Sequence, residues 1–288
     1  MAVRRALYLC IVHLKELFRT PLFYAYLCLF FIYFYHLNVP TVLFQEETDI
    51  RINAWGYTAG VFSTPLSTIV FGMGIIMLFS DLPLLRGNAL FESTRCSRNV
   101  WVFGRVLYVV GVSVFYTCIM FLLCLLTSRG ELFDTDRWGK ILNTIANGYH
   151  FEEIDDLLEL SLTLTGKYTP IQAFGLSFMM CALCAISLGL CMLLLSMSFG
   201  RIIALLVGCV FSVLDFVISW KLPYVAYHAS PLSLTRLSVI CVPDMPYYPT
   251  FSYALTALIG SSVLVSVLCI AVSHMNKSFA DKILRNQY

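Results

Sequence analysis

Apolar and polar stretches alternate along this chain on a length scale that fits a lipid bilayer. Six apolar stretches have about the 20 residues that a helix needs to cross the hydrocarbon core. They cover residues 20–37, 57–79, 102–126, 170–197, 202–220 and 250–273. The pattern predicts an all-α polytopic membrane protein, in which residues 1–288 form a single transmembrane domain with spans 1 to 6 in chain order.

The first 19 residues have a helical period but carry too much charge to cross a membrane. Apolar side chains recur every three or four residues, at Leu7, Cys10, Ile11, Leu14 and Leu17. Basic side chains surround this stripe, at Arg4, Arg5, Lys15 and Arg19. The pattern favours an N-terminal interfacial amphipathic helix over a simple extension of span 1. The charges that interrupt the apolar run argue against a cleavable signal peptide.

Composition agrees with the membrane assignment. Hydrophobic residues make up 59% and charged residues 12% of the chain, with a mean hydropathy of +0.80, whereas soluble domains have about 25% charged residues. The net charge of +2 gives no support to nucleic-acid binding. Most cysteines lie inside apolar runs, where Cys behaves as a small hydrophobe. We therefore expect neither a disulfide framework nor a metal or redox site at Cys181 and Cys184.

Spans 1 and 2 contain many hydroxyl groups. Tyr26 and Tyr33 lie within span 1, and a buried tyrosine needs a hydrogen-bond partner, so we expect part of span 1 to face other helices or a cavity. In span 2, Thr64 and Ser67 flank Pro65, which predicts a kink. Helix packing through small hydroxyl residues is favoured over substrate contact as the reason for this composition.

A charged connection, Ser80–Arg105, joins spans 2 and 3. Its basic residues are Arg86, Arg95, Arg98 and Arg105, and its acids are Asp81 and Glu92. Within it, Asn88–Cys96 predicts one or two turns of helix, with Asn88 as N-cap and an apolar side formed by Leu90 and Phe91. Such a connection is either a plain loop or a lever that another protein grips.

Two other long connections are predicted on the opposite side of the membrane. Residues 127–169 are rich in acids, and Phe151–Leu164 has the pattern of a short amphipathic helix. Its paired carboxylates lack the spacing of a calcium loop, so a solvated acidic face is favoured over Ca²⁺ binding. Residues 221–249 contain five prolines and predict two helical pieces, Pro223–Ala229 and Ser233–Cys241, that dip into the outer leaflet.

Asp215 is the one acid inside a predicted span. Intramembrane acids are functional candidates because burying a charge is costly. Asp215 also lies less than two turns before Trp220 and Lys221. A structural or interfacial position is therefore favoured over a functional one.

The basic residues predict the orientation. Twelve of the 19 Lys and Arg residues belong to the side that holds both termini. They are Arg4, Arg5, Lys15, Arg19, Arg86, Arg95, Arg98, Arg105, Arg201, Lys277, Lys282 and Arg285. Because basic residues in short loops mark the cytoplasmic side, both termini and Ser80–Arg105 are predicted to be cytoplasmic.

The sequence has no motif for chemistry of its own. It has no GxxxxGK[ST] phosphate loop, no HExxH and no GxSxG. It also lacks the evident inverted repeat of many ion-coupled carriers. We therefore expect the chain not to be an enzyme, and to take energy from another chain if it moves a substrate uphill.

The layout resembles the membrane subunit of an ABC exporter of the type-2 class, in which permease and ATPase are often separate chains. The residues SDLPLLRGNALFESTRCSRNVWVFGRVLY resemble the segment that such permeases place after span 2. The residues LPYVAYHASPLSLTRLS resemble their last outer segment. The resemblance covers nearly the whole chain in layout.

The resemblance implies a partner and a contact to it. Asn88–Cys96 would be a coupling helix in a groove of a cytoplasmic ABC ATPase, which binds ATP and Mg²⁺ while this chain binds no cofactor or metal. Leu90 and Phe91 would be the apolar anchor. Glu92, Arg95 and Arg98 would be the charged rim, although the topology signal alone also accounts for the two arginines.

The resemblance also implies pairing with a second permease subunit, identical or a sister chain, in a bacterial cytoplasmic membrane. The translocation path would run between the two bundles, lined by spans 1, 2 and 5. Its candidate residues are Tyr26, Tyr33, Thr64, Ser67 and Asp215. Their aromatic and hydroxyl character suits an amphiphilic cargo such as a peptide, an antibiotic or a lipid-like molecule.

Three alternatives stay open. In the first, the chain is an immunity or sensing subunit of the same kind of assembly. In the second, it is an ion-coupled carrier or channel that is centred on Asp215 and acts without any ATPase. An intramembrane enzyme is disfavoured, because the sequence offers no convergent set of polar groups.

Overall fold

The fold is that of a computed structural model, which describes residues 2–80, 97–132, 134–148, 158–241 and 247–275. These residues form eleven α-helices and two 3₁₀ helices, and within them β-pairing is limited to an isolated bridge between Asn53 and Glu131. The α-helices are α1 (Ala2–Arg19), α2 (Pro21–Thr48), α3 (Ala54–Val61), α4 (Pro65–Phe79), α5 (Arg98–Thr127), α6 (Gly139–Ala146), α7 (Leu162–Lys167), α8 (Pro170–Ser198), α9 (Arg201–Lys221), α10 (Leu237–Ile240) and α11 (Phe251–Met275). The 3₁₀ helices are Tyr224–Ala229 and Ser233–Thr235.

Among the described residues, five helices are long and apolar enough to cross a membrane, namely α2, α5, α8, α9 and α11. The pair α3 and α4 meets the same test only together, as one bent span, which brings the number to six. The transmembrane helical character that the sequence predicts is confirmed. The bent pair coincides with the predicted span 2, and the described residues contain six spans only if this pair is counted as one.

The bend in the predicted span 2 lies immediately before Pro65. Helices α3 and α4 meet at 76°, and Thr64 between them is extended, with φ −83° and ψ 145°. Proline has no N–H to donate and disfavours helical geometry in the residue before it. The kink that the sequence predicts at Pro65 is therefore confirmed, and it is sharp enough to break the helix.

Helix α2 continues well beyond the predicted end of span 1 at residue 37. It runs through Pro40 to Thr48, so Glu46 and Glu47 belong to its last turn rather than to a loop. The extension carries the buried residues Thr41 and Gln45. The Gln45 amide donates to the Ser128 carbonyl at 3.1 Å, and its oxygen accepts from the Ile52 backbone at 3.0 Å. These distant partners stabilise a turn that looks like loop in the sequence.

The predicted N-terminal helix is confirmed over Ala2–Arg19, and it packs chiefly against α5. Its buried face differs from the predicted stripe, because Ala6, Leu9 and His13 are buried while Leu7 and Ile11 are 48% and 51% exposed. The cause is a close approach to α5, since a methyl group at Gly104 would lie 3.3 Å from the Ala6 carbonyl oxygen. Small residues on both helices bring the backbones together there.

Helix α8 lies at the centre of the bundle. In its apolar segment 61% of residues are buried, against 22% to 44% in the other four long helices. It packs against α3, α4, α5, α9 and α11. At Gly189 a methyl group would lie 2.7 Å from the Phe79 ring and 2.8 Å from Val109, so only glycine fits where α4, α5 and α8 meet.

The long connections meet at one end of the bundle. We call this the polar end, and it comprises residues 49–53, 128–169 and 222–250 as far as they are described. The Trp138 indole donates to the Tyr168 carbonyl at 2.8 Å, and the Thr163 hydroxyl donates to the Cys241 carbonyl at 2.8 Å. These bonds join segments that are remote in sequence. The opposite end, where α1 and both ends of the α4–α5 connection lie, is called the basic end.

Two predicted elements of the polar end have different outcomes. The short helices expected over Pro223–Ala229 and Ser233–Cys241 are confirmed, as the two 3₁₀ helices and α10. The helix expected over Phe151–Leu164 is wrong at residues 158–161, where the chain is non-helical, while residues 162–164 belong to the separate short helix α7 and residues 151–157 lie outside the described residues. Within residues 158–161, the side chains of Leu158 and Leu160 pack next to Gly60 of α3.

Candidate functional site: a buried charge cluster at the bend of span 2

Asp215 is fully buried in the bundle and accepts hydrogen bonds from three directions. The Thr68 hydroxyl of α4 donates to Oδ2 at 2.7 Å, and the Ser233 hydroxyl donates to Oδ1 at 2.7 Å. The Arg236 guanidinium lies 3.4 Å from Oδ1. A carboxylate in a membrane interior needs such partners because burying an unpaired charge is costly.

Arg236 is also buried, at 3% exposure, and uses its whole guanidinium group. Nε donates to the Ser63 carbonyl at 2.8 Å, and Nη1 donates to the Ser219 hydroxyl at 2.8 Å. Ser63 lies in the bend between α3 and α4, where backbone carbonyls lack helical partners. Arg236 therefore donates a hydrogen bond to a free backbone carbonyl at the bend of span 2 and also provides the counter-charge for Asp215 of α9.

Glu159 forms the third charged position, at the edge of the cluster. Its Oε2 accepts from Arg236 Nη2 at 2.7 Å and from the Ser238 hydroxyl at 2.8 Å. Its side chain is 40% exposed, so this pair reaches the surface of the bundle. Burial alone would lower the pKa of Arg236, but the carboxylates of Asp215 and Glu159 outweigh it and raise the pKa above its ordinary value.

The three charged residues join elements that are far apart in sequence. We define the charge cluster as Asp215, Arg236 and Glu159 with their hydroxyl partners. It ties α4, α9, the 3₁₀ helix Ser233–Thr235 and the non-helical residues 158–161 to the bend of span 2. Both carboxylate oxygens of Asp215 have hydrogen-bond or ion-pair partners within the protein. This arrangement favours a structural role for the acid, because removing one partner of a buried ion pair is strongly destabilising.

Next to the charge cluster, three further polar side chains meet at the start of α4. The Thr64 hydroxyl donates to Ser67 Oγ at 3.0 Å, and Tyr33 Oη lies 3.4 Å from the same Ser67 oxygen. Thr64 and Ser67 are buried, and Tyr33 is half-buried. Ser67 precedes Thr68, the donor to Asp215, so four of the predicted path residues lie together around the bend.

The other predicted site residues lie elsewhere. Tyr26 lines an apolar cleft near the basic end, away from the bend. Arg98 is the first residue of α5. The predicted coupling residues Asn88, Leu90, Phe91, Glu92 and Arg95 lie outside the described residues.

Sequence reasoning did not identify Arg236 or Glu159 as site residues. In the sequence, Arg236 belongs to the basic residues of the outer side, and Glu159 belongs to an acidic face. The available signal was the setting of Arg236 in SPLSLTRLSVI, where the arginine is the one charge among apolar and hydroxyl residues. Within a segment predicted to enter the bilayer, such an arginine needs a buried acid.

Cysteine and metal chemistry find little support in the described part of the chain. The ten cysteines there are all free, including Cys181 and Cys184. The Cys184 thiol donates to the Pro231 carbonyl at 3.3 Å. No group of three or more His, Cys, Asp or Glu side chains within those residues is placed to hold a metal ion.

Comparison with known proteins gives this arrangement no counterpart. No family model, no curated protein and no solved structure matches the chain.

Proposed function

We propose that the chain is the transmembrane permease subunit of an ATP-driven ABC exporter of the type-2 class. In this proposal it moves an amphiphilic cargo, such as a peptide, an antibiotic or a lipid-like molecule, out of a bacterial cell by alternating access. ATP and Mg²⁺ bind to a separate cytoplasmic ATPase, and this chain has no catalytic site. It sits in the cytoplasmic membrane with both termini on the cytoplasmic side and pairs with a second permease subunit.

The observation that carries the proposal is the packing of α1 against the start of α5. A methyl group at Gly104 would lie 3.3 Å from both the Ala6 carbonyl oxygen and Leu9 Cβ, and the His13 ring meets the Tyr108 ring edge-on at 6.0 Å. Helix α5 begins two residues after the segment Asn88–Cys96. A push on that segment would therefore move α1 and α5 as one packed unit, which is what a coupling element requires.

The charge cluster favours an ATP-driven subunit over a carrier centred on Asp215. A coupling acid must exchange its partners for an ion or proton during transport. In the charge cluster the Asp215 oxygens are occupied by Thr68, Ser233 and Arg236. The same cluster joins the polar-end residues Glu159 and Arg236 to Asp215 of α9. Such a connection is expected if each subunit moves as a rigid body against the other.

The proposed path uses the polar turn of α4. Tyr33 of α2 meets Ser67 of α4 near the bend of span 2, and Thr64 donates to the same Ser67 hydroxyl. In this proposal they contact cargo when the two subunits move apart and the bend becomes accessible. Asp215 is assigned to holding the bend rather than to direct contact with cargo, and Tyr26 is set apart from the path.

Affinity capture of the full chain from native membranes tests this function. In a mild detergent we expect it to bring down a stoichiometric soluble subunit that contains a phosphate loop and hydrolyses ATP. Recovery of a folded, monodisperse chain without such a subunit would contradict the proposal. It would favour a carrier or channel instead, and transport by the Asp215→Asn variant would then decide whether that acid takes part.

A further inference from the structure

Residues 158–161 run beside the end of α3 as a non-helical segment, which we call the outer strap. Its leucines pack on Gly60, where a methyl group would lie 3.0 Å from the Leu158 side chain and 3.3 Å from that of Leu160. The Glu159 N–H donates to the Gly60 carbonyl at a long 3.4 Å. Side chains therefore contribute more than backbone bonding to holding the outer strap on α3.

Arg236 and Ser238 connect the outer strap to the bend of span 2. Arg236 donates to Glu159 Oε2 at 2.7 Å through Nη2 and to the Ser63 carbonyl at 2.8 Å through Nε. The Ser238 hydroxyl lies 2.8 Å from the same Oε2 and 3.1 Å from the same carbonyl, and it donates its one hydrogen to either. Glu159 is thus joined to the broken backbone of the bend through two intervening side chains.

Glu159 is the charged member of the cluster that water reaches. Its side chain is 40% exposed, whereas those of Arg236 and Asp215 are 4% and 0% exposed. If Glu159 leaves, Arg236 keeps Asp215 as its counter-charge, so no buried charge is left unpaired. The outer strap can therefore detach at a lower cost than any other part of the charge cluster.

The polar turn of α4, which carries Thr64 and Ser67, lies next to this connection. Thr64 follows Ser63 in the chain, and its hydroxyl donates to Ser67 Oγ at 3.0 Å. Both side chains are buried, at 5% and 2% exposure. Because Arg236 and Ser238 lie against the Ser63 carbonyl, a displacement of these side chains uncovers the backbone beside Thr64.

We propose that the outer strap is a gate at the polar end of the bundle, with the Glu159–Arg236 ion pair as its closing contact. Release of Glu159 lets the two leucines leave Gly60 and admits water to Thr64 and Ser67. Segments that open locally are held by few buried contacts, and the outer strap has this character. The gate rests on the proposed function in one respect, that the polar turn of α4 belongs to the path. Its opening requires neither the ATPase nor a cargo.

Labelling of a cysteine behind the outer strap tests the gate in the purified full chain. Ser67→Cys replaces a buried hydroxyl by a thiol of similar size, and a water-soluble, membrane-impermeant maleimide reacts with it only when water reaches the bend. Peptide mass spectrometry assigns the label to position 67 among the native cysteines. Adding Glu159→Gln should accelerate the labelling about five- to tenfold, because the hydrogen bond to Arg236 then loses its charged acceptor at a partly exposed site.

Three comparisons separate the gate from general loosening of the bundle. Glu131→Gln is the matched control, because it neutralises another exposed glutamate of the polar end, and it should leave the rate unchanged. Leu158→Ala weakens the contact with Gly60 and should accelerate labelling without any change in charge. The native Cys269 of α11 is fully buried and should stay unlabelled in every variant.

Two results would overturn the gate. Equal labelling rates with Glu159→Gln and Glu131→Gln would show that Glu159 does not hold the outer strap. Parallel labelling of Cys269 would show that the whole bundle loosens rather than one segment. If Ser67→Cys does not fold, amide hydrogen exchange at residues 158–161 in Glu159→Gln alone takes its place, with the same expected acceleration and the same control. Neither measurement involves an ATPase subunit, so the gate and the exporter proposal fail separately.

Discussion

Replacement of Arg236 by methionine is expected to lower the free energy of unfolding by about 3–5 kcal/mol. The change leaves the Asp215 carboxylate buried with hydroxyl donors but no counter-charge. It also removes the Nε donor from the Ser63 carbonyl at the bend of span 2. Methionine retains much of the apolar stem, so the loss reports charge and hydrogen bonding more than packing.

Denaturant unfolding in mixed micelles measures this effect, with a double variant as the decisive comparison. Asp215→Asn combined with Arg236→Met should be more stable than Arg236→Met alone, because no uncompensated charge remains. Arg137→Met is the matched control, since Arg137 is exposed at the same end of the bundle, and it should change stability by less than about 0.5 kcal/mol. A loss at Arg236 as small as that control would show that the cluster does not stabilise the fold.

Replacement of Asn53 by alanine is expected to cost about 2–3 kcal/mol. The Asn53 oxygen caps α3 by accepting from the backbone N–H groups of Trp55 and Gly56 at 3.0 and 3.1 Å. Its amide donates to the carbonyls of Asp134 and Arg137 at 2.5 and 2.9 Å. The buried Asn53 side chain thus caps the N-terminus of α3 and also hydrogen-bonds to the loop at residues 134–137.

The aspartate variant separates these two roles of Asn53. Asn53→Asp keeps the acceptor at the start of α3 but turns an oxygen toward two carbonyls, so we expect residues 134–137 to become protease-sensitive while α3 stays folded. Limited proteolysis with mass spectrometry would locate the cleavage. Asn143→Ala, at an exposed position of α6, should leave the pattern unchanged. Equal protection of 134–137 in all three variants would contradict the assigned role.

Much of the bundle could be predicted because its signals are local. Helices α8, α9 and α11 begin and end within two residues of the predicted spans, since each is a long apolar run with its own stop signals. Helix α8 begins with Pro170, and Thr169 and Gln172 form a capping box there. The bend of span 2 was predicted from Pro65 for the same reason, because proline acts on its immediate neighbours.

The differences arise where distant residues decide the local structure. The last turns of α2 are helical because Gln45 bonds to Ser128, 83 positions later in the chain. The buried face of α1 is set by Gly104 of α5. No periodicity within either helix contains that information.

The charge cluster illustrates the same limit at the site. The sequence identified Asp215 as an unusual acid but offered no way to choose its partner. Arg236 lies 21 positions later in a segment broken by prolines, and Glu159 lies in a different connection altogether. Only the folded arrangement brings these residues to one bend, and it favours the structural interpretation of Asp215.

In the proposed function, Asn88–Cys96 couples this chain to a separate ATPase. The most direct test of this coupling is to measure how much of the phosphate-loop subunit is captured with the Phe91→Ala and Glu92→Lys variants. The unmodified chain is the reference, and Glu47→Lys, at the opposite end of the bundle, is the control. We expect the first two variants to lose the ATPase while the folded chain is still recovered, and Glu47→Lys to keep it. Undiminished capture by both Phe91→Ala and Glu92→Lys would contradict the claim.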